Sequence, residues 1–129
     1  MTVRRITSGA PWEARVGYCR AVVAGGHIHV SGTVAVEADG TPYAPGDAYA
    51  QTVRALEIIL RAMAEAGADA SHVVRTRVFV TDIGRWEEVG RAHRELLGEH
   101  PPAMTMVEVS ALMDPAFLVE VEVDAFLPE

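Results

Sequence analysis

Apolar and polar residues alternate most cleanly near the end of the chain. Val119, Val121 and Val123 take one side of an extended run, and Glu120, Glu122 and Asp124 take the other. Leu118 to Phe126 is therefore predicted to be a strand with one face in a core. Met104 to Val109 reads as a strand before it, with a turn at Asp114-Pro115 in the connection. Further upstream, Val73 to Thr81 places Val74, Thr76, Val78 and Val80 on one face and Arg75, Arg77 and Phe79 on the other. Tyr18 to Ala24 and His27 to Val36 flank Gly25-Gly26, the composition of a tight hairpin. In its second strand Ile28, Val30 and Val34 point one way, and His27, His29 and Ser31 the other. Gly32 leaves room there for a close approach.

Two stretches have helical rather than strand spacing. Asp47 is a candidate cap for a helix reaching about Ala66, with Val53, Leu56, Leu60 and Met63 as its apolar stripe. Arg61 is spaced to pair with Glu57 and Glu65 on its outer side, and Gly67 stops it. A second helix opens at Asp82 or Gly84, carries Trp86, Val89, His93 and Leu96 or Leu97 inward, and ends at Gly98 and Pro101-Pro102. The order is β-β-α-β-α-β-β, an α+β fold with a mixed sheet and two helices on one face. Residues 1–129 read as a single domain without repeats or linkers.

One helix layer leaves a sheet face uncovered. Arg75 and Arg77 can pair across strands with Glu120, Glu122 and Asp124 on that face. Its mixed character suggests a partly polar subunit interface; a solvated face with surface ion pairs is the plainer reading.

Composition narrows the function classes. Half of the residues are hydrophobic, enough for a core. The net charge of -7, with 11 basic residues against 18 acidic ones, argues against the basic surface that a nucleic-acid binder needs. Cys19 is the single cysteine and cannot form an intrachain disulfide, which fits a reducing cytoplasm. There is no charged-then-apolar leader, and no apolar run near the ~18 residues of a membrane span, so neither secretion nor membrane insertion is expected. His27 and His29 share a strand face but lack a third ligand nearby, so no metal is expected. No cofactor is implied.

Several short segments, taken in order, resemble one family over nearly the whole chain. They are Val16-Gly17-Tyr18, Val30-Ser31-Gly32, Ala66-Gly67-Ala68, Val78-Phe79-Val80-Thr81-Asp82, Pro102-Ala103, Val107-Glu108-Val109 and Val119-Glu120-Val121-Glu122. The family is the Rid, or YjgF-like, family. The resemblance implies a chorismate-mutase-like fold assembled as a homotrimer, with a small-molecule cleft between adjacent subunits. It also implies hydrolysis of reactive imines or enamines to 2-keto acids and ammonia. In that pattern a tyrosine and a serine from the first hairpin line the cleft, and a glutamate on the last strand positions water. An arginine after the Pro-Ala pair binds the substrate carboxylate. Tyr18, Ser31 and Glu120 match their positions. Met104 stands where the arginine is expected, Met106 where a cysteine is frequent, and Gly90 where imine-hydrolysing members have an asparagine.

Methionine cannot make the bidentate, charge-assisted contact of an arginine. Losing one hydrogen bond to a charged group removes about 1.5–3 kcal/mol, or roughly one to two decades of affinity. The expected ligand is therefore less anionic than an imino acid. The cleft is expected to be formed by Tyr18, Ser31, Gly32, Met104 and Met106, with Trp12 and Arg15 as candidates to compensate for the missing arginine. The alternation of Met104, Met106 and Glu108 against Val107 and Val109 is taken to place both methionines on the pocket or interface side.

Glu120 reads either as a general base or as one rung of a carboxylate ladder with Glu122 and Asp124. Three functions follow: a hydrolase of C=N bonds with altered specificity, a non-catalytic metabolite-binding module, or a chaperone-like trimer. Some family members have been called endoribonucleases, an activity the acidic charge argues against here.

Overall fold

The computed structural model describes residues 2–128. Six strands form one sheet in the order β1-β2-β3-β6-β4-β5: β1 Val3–Ile6, β2 Ala21–Ala24, β3 His27–Val34, β4 Val73–Val80, β5 Ala103–Glu108 and β6 Val119–Phe126. Three α-helices accompany them: α1 Pro11–Val16, α2 Ala48–Glu65 and α3 Trp86–Leu97. The α+β class and the two long helices are as the sequence suggests. Two elements were not foreseen. Three of the four residues of β1 are exposed, so it carries no alternation signal. The six-residue α1 starts without a side-chain cap, although Pro11 at its start and left-handed Gly17 (φ 92°) at its end are ordinary terminal residues.

The last two strands are not neighbours across a turn. The β5 strand pairs in parallel with β4, while β6 inserts antiparallel between β3 and β4. This puts Val119, Val121 and Val123 in the middle of the sheet, each 0–1% exposed beneath the helices. Burying a valine of this kind contributes about 1.5–3 kcal/mol.

The hairpin forms at Gly25-Gly26, but β2 starts at Ala21 rather than Tyr18. Gly25 has φ 62°, as a two-residue hairpin loop requires.

Two irregularities reset the alternation. The register slips between Val30 and Thr33, so Thr33 and Ala35 turn inward and Val34 goes to the other face. It slips again between Val73 and Arg75, burying Val73 and leaving Val74 51% exposed. Each slip adds a residue out of phase, which a strict two-residue period cannot register.

The α2 helix is capped as expected, Asp47 accepting from the Ala50 amide at 2.9 Å. Its buried stripe is Thr52, Ala55, Leu56, Ile59, Ala62 and Met63, rotated from the expected one so that Val53 and Leu60 lie at its margin. The outer cation that pairs is Arg54, with Glu57 at 3.8 Å and Glu37 at 3.9 Å. Trp86, expected inward, opens α3 and is exposed, whereas Val89, Ala92, His93 and Leu97 are buried. Cys19 is half-buried.

Gln51 is fully buried and ties α2 to two loops. Its amide nitrogen donates to the Ala116 carbonyl at 2.8 Å and the Ala44 carbonyl at 3.3 Å; its oxygen accepts from the Leu118 amide at 2.8 Å. Gln51→Leu strands those groups, each at about 1–3 kcal/mol. We expect chemical denaturation to show a loss of at least about 3 kcal/mol for this variant, and an unchanged midpoint would refute the assignment.

His93 bonds Thr76 Oγ1 through Nε2 at 2.8 Å beneath α3, and burial lowers its pKa below 6.5. The unfolded chain then binds the extra proton first. The associated stability is complete above pH 6.5 and is lost as pH falls through the folded-state value. His93→Gln keeps a partner for Thr76 and removes this titration. Wild type should lose more stability than the variant on acidification below pH 6.5, read from paired melts.

The face opposite the helices is mixed. Of the expected cross-strand pairs, Arg77 lies 3.3 Å from Glu122 and 3.0 Å from Asp124, while among the described residues Arg75 and Glu120 form no ion pair; His29 Nδ1 is 2.8 Å from Asp124. Val3, Val107 and Phe126 are exposed on the same face. Among the described residues no helix is long and apolar enough to cross a membrane.

Candidate functional site

A cavity of about 370 Å³ opens where β3 slips register and β6 begins. Its walls are largely apolar: Trp12 and Val16 from α1, Ile58 from α2, and Met113 and Phe117 from the loop before β6. Polar groups also border it, among them those of Tyr18, Arg20, Ser31, Gly32 and Glu120.

Glu120 faces away from the buried valines and reaches over Gly32. A Cβ on Gly32 would fall 2.0 Å from Glu120 Oε2, so the absence of a side chain there makes the space for the carboxylate. Among the described residues Glu120 has neither a hydrogen bond nor a cation within ion-pair distance. Burial raises its pKa above 4.5; Arg20 opposes that shift and Glu122 adds to it. A half-buried carboxylate with a raised pKa is a stronger base than a solvated one.

The neighbouring polar groups are held in place. Ser31 Oγ donates to the Cys19 carbonyl at 2.7 Å, and its amide donates to the Arg20 carbonyl at 2.9 Å. The Tyr18 hydroxyl accepts from Arg20 Nη2 at 3.4 Å, which leaves its own proton to give.

Arg20 is the main feature that residue patterns did not reveal. It is 7% exposed and donates through Nη1 to the Gly32 carbonyl at 2.9 Å and to Thr33 Oγ1 at 2.8 Å. These bonds clamp the irregular turn of β3 beneath Glu120. Its Nε lies 3.5 Å from Glu13 Oε2 without the alignment of a hydrogen bond. Glu13, 5% exposed on α1, also accepts from the Ser8 amide at 3.1 Å and from the Ser8 hydroxyl. This buried pair fastens α1 to the sheet between two left-handed glycines, Gly9 (φ 79°) and Gly17 (φ 92°). The available signals were an acidic residue in the first turn of a proline-started helix and an arginine entering a strand.

The structure thus brings Tyr18, Ser31, Gly32, Glu120 and Trp12 to one cavity. It does not bring Arg15 there: Arg15 stacks on Trp12, its guanidinium 4.8 Å from the ring centroid. Met104 and Met106 are also elsewhere in this chain. They share a face as expected, but they pair with Thr76 and Val78 and so lie on the helix-covered side of the sheet. Met106 packs against the core, and Met104 is exposed on the edge strand. Among the described residues no cluster of three His, Cys, Asp or Glu could hold a metal ion.

The family model described as Endoribonuclease L-PSP matches residues 7–127. An uncharacterized protein of Streptomyces coelicolor, SCO2049, is 42% identical over 124 residues, 96% of this chain and 92% of its own length. A 2-iminobutanoate/2-iminopropanoate deaminase of Capra hircus is 30% identical over 111 residues, 85% of this chain and 81% of that one. The crystal structure of Rv2704 from Mycobacterium tuberculosis superposes with a TM-score of 0.89 at 43% identity, covering 98% of this chain and all of the other. Rv2704 is described as a member of the YjgF/YER057c/UK114 family.

Proposed function

The chain belongs to the endoribonuclease L-PSP, or YjgF/Rid, family, and from that premise we propose that it is a hydrolase of C=N bonds, deaminating an imine- or enamine-type metabolite with Glu120 as general base. The observation that carries the reading is the unpaired, half-buried Glu120 carboxylate over Gly32 in an apolar-walled cavity. The deaminase relative supplies the reaction class.

The chemistry follows from the groups present. Water bound at Glu120 attacks the carbon of a protonated C=N group. The new C–O bond forms, the π pair moves to nitrogen, and Glu120 takes the proton lost by water. Glu120 returns that proton to the nitrogen of the carbinolamine. The C–N bond then breaks with its pair on nitrogen, and as the carbonyl forms Glu120 passes the hydroxyl proton to the departing ammonia. The products are a carbonyl compound and ammonium. Tyr18 can donate to the oxygen, and Ser31 borders the same space.

The second half of the proposal is a homotrimer. Met104 sits two strands from β6 on the opposite face, so it reaches a Glu120 cavity only across a subunit boundary. The exposed Val3, Val107 and Phe126 beside the Arg77–Asp124 pair give the open face the apolar and polar mixture of a subunit contact. Light scattering after size exclusion should give three times the 13.9 kDa chain mass. A stable monomer would refute this part.

Catalysis is tested by measuring carbonyl release from imines made in situ by an oxidase, with wild type beside Met104→Arg and Glu120→Gln. Glu120-dependent acceleration by wild type supports the proposal. Activity appearing only in Met104→Arg would instead favour a competent scaffold used for binding.

A further inference from the structure

The charge pattern of the cavity defines a class of ligand. Two charged side chains line it, Arg20 and Glu120. Arg20 is balanced inside the protein: its guanidinium faces Glu13, and both are almost fully buried. Its Nη atoms already serve Gly32, Thr33 and Tyr18. Among the described residues Glu120 has no such ion-pair partner, and Arg20 acts on it only from beyond ion-pair distance, so the charge that this chain leaves unpaired in the cavity is negative. The walls around it are the faces of Trp12, Val16, Ile58, Met113 and Phe117.

We infer that this site takes an apolar body carrying a protonated nitrogen and no carboxylate. Combined with the hydrolytic reading, on which this step rests, the substrates are iminium ions derived from apolar amines rather than from amino acids. The balanced reaction is R–CH=NH2+ plus water giving R–CHO and NH4+. The iminium charge lies against Glu120, and the apolar group lies along α1. A substrate carboxylate would meet Glu120 as a like charge, with Arg20 already neutralised by Glu13. The Glu13–Arg20 pair is therefore the specificity-determining element, acting by withholding a cation that would otherwise welcome an anion.

The test separates binding from chemistry. Phenethylammonium and 3-phenylpropionate share a ring and a two-carbon chain and differ in the sign of their charge. Calorimetric titration of wild type should show the ammonium binding at least about 10-fold tighter, with Glu120→Gln abolishing the preference. Equal or tighter binding of the carboxylate overturns the inference.

In the turnover arm, the imine of phenethylamine generated by an amine oxidase is compared with that of phenylalanine generated by an amino-acid oxidase. The carboxylate-free imine should be accelerated more. Faster turnover of the carboxylated imine overturns the inference and leaves the hydrolytic reading intact. Glu120-dependent ammonium binding without acceleration of either imine overturns the hydrolytic reading and supports the charge assignment. Glu13→Gln should shift affinity toward the carboxylate probe. Should that variant fail to fold, the wild-type comparison decides alone.

Discussion

Replacing Glu120 with glutamine should lower imine turnover by about 10²- to 10⁴-fold, the usual contribution of a positioned general base, while making the protein more resistant to unfolding at neutral pH. The two effects have one origin. Burial pushes the Glu120 carboxyl above 4.5, so the folded state holds its proton more tightly than the unfolded chain does. The associated stability is present below pH 4.5 and is lost as pH rises through the raised folded-state value. Above that value the ionised carboxylate is a standing penalty on the native state. Glutamine keeps the shape and removes the charge. Melts of the two proteins should therefore differ little in acid and diverge in favour of the variant as pH rises. A variant that is inactive yet less stable at pH 7 would assign Glu120 a structural role instead.

Gly32→Ala should cost about 10²-fold in turnover, the typical effect of misplacing a reacting group by about 1 Å. The added Cβ would lie 2.0 Å from Glu120 Oε2, and ordinary contact begins near 3.4 Å, so the carboxylate must move. The obstructed atom is the end of a flexible side chain rather than backbone, so the fold should survive the change. The expected pattern is a near-wild-type melting temperature, a fall in kcat, and an altered pH profile for whatever turnover remains. Combining Gly32→Ala with Glu120→Gln separates this from general damage. If both act through the carboxylate, the double variant should be no worse than Glu120→Gln alone. Additive losses would refute that.

Much of this arrangement is legible in residue order. Val119, Val121 and Val123 identify the buried face of β6 and leave Glu120 on the other, while Asp47 and Gly67 mark the ends of the long helix. Gly32 signals a close approach, and the approaching group is Glu120. What escapes has physical causes. Alternation says which residues share a face but not which face, so it groups Met104 with Met106 without telling that both lie on the helix side of the sheet in this chain. Their side is fixed by parallel pairing of β5 with β4, a long-range contact. Local extra residues near Ser31-Gly32 and Val74 invert the phase of two strands without any composition cue. The Glu13–Arg20 pair joins a helix too short to show periodicity with a residue just outside a strand, so nothing local announces it.

The way α1 is attached bears on how this scaffold can diversify. Trp12 and Val16 form cavity wall yet do not belong to the hydrophobic core, and the segment is bracketed by Gly9 and Gly17 and anchored through Glu13. Ala10, Trp12 and Val16 are thus exchangeable positions on a segment that Glu13 keeps attached. Substitutions at those three can reshape ligand preference at little expense to folding, while the sheet, Gly32 and Glu120 stay fixed. A library confined to Ala10, Trp12 and Val16 would explore new chemistry on an unchanged foundation.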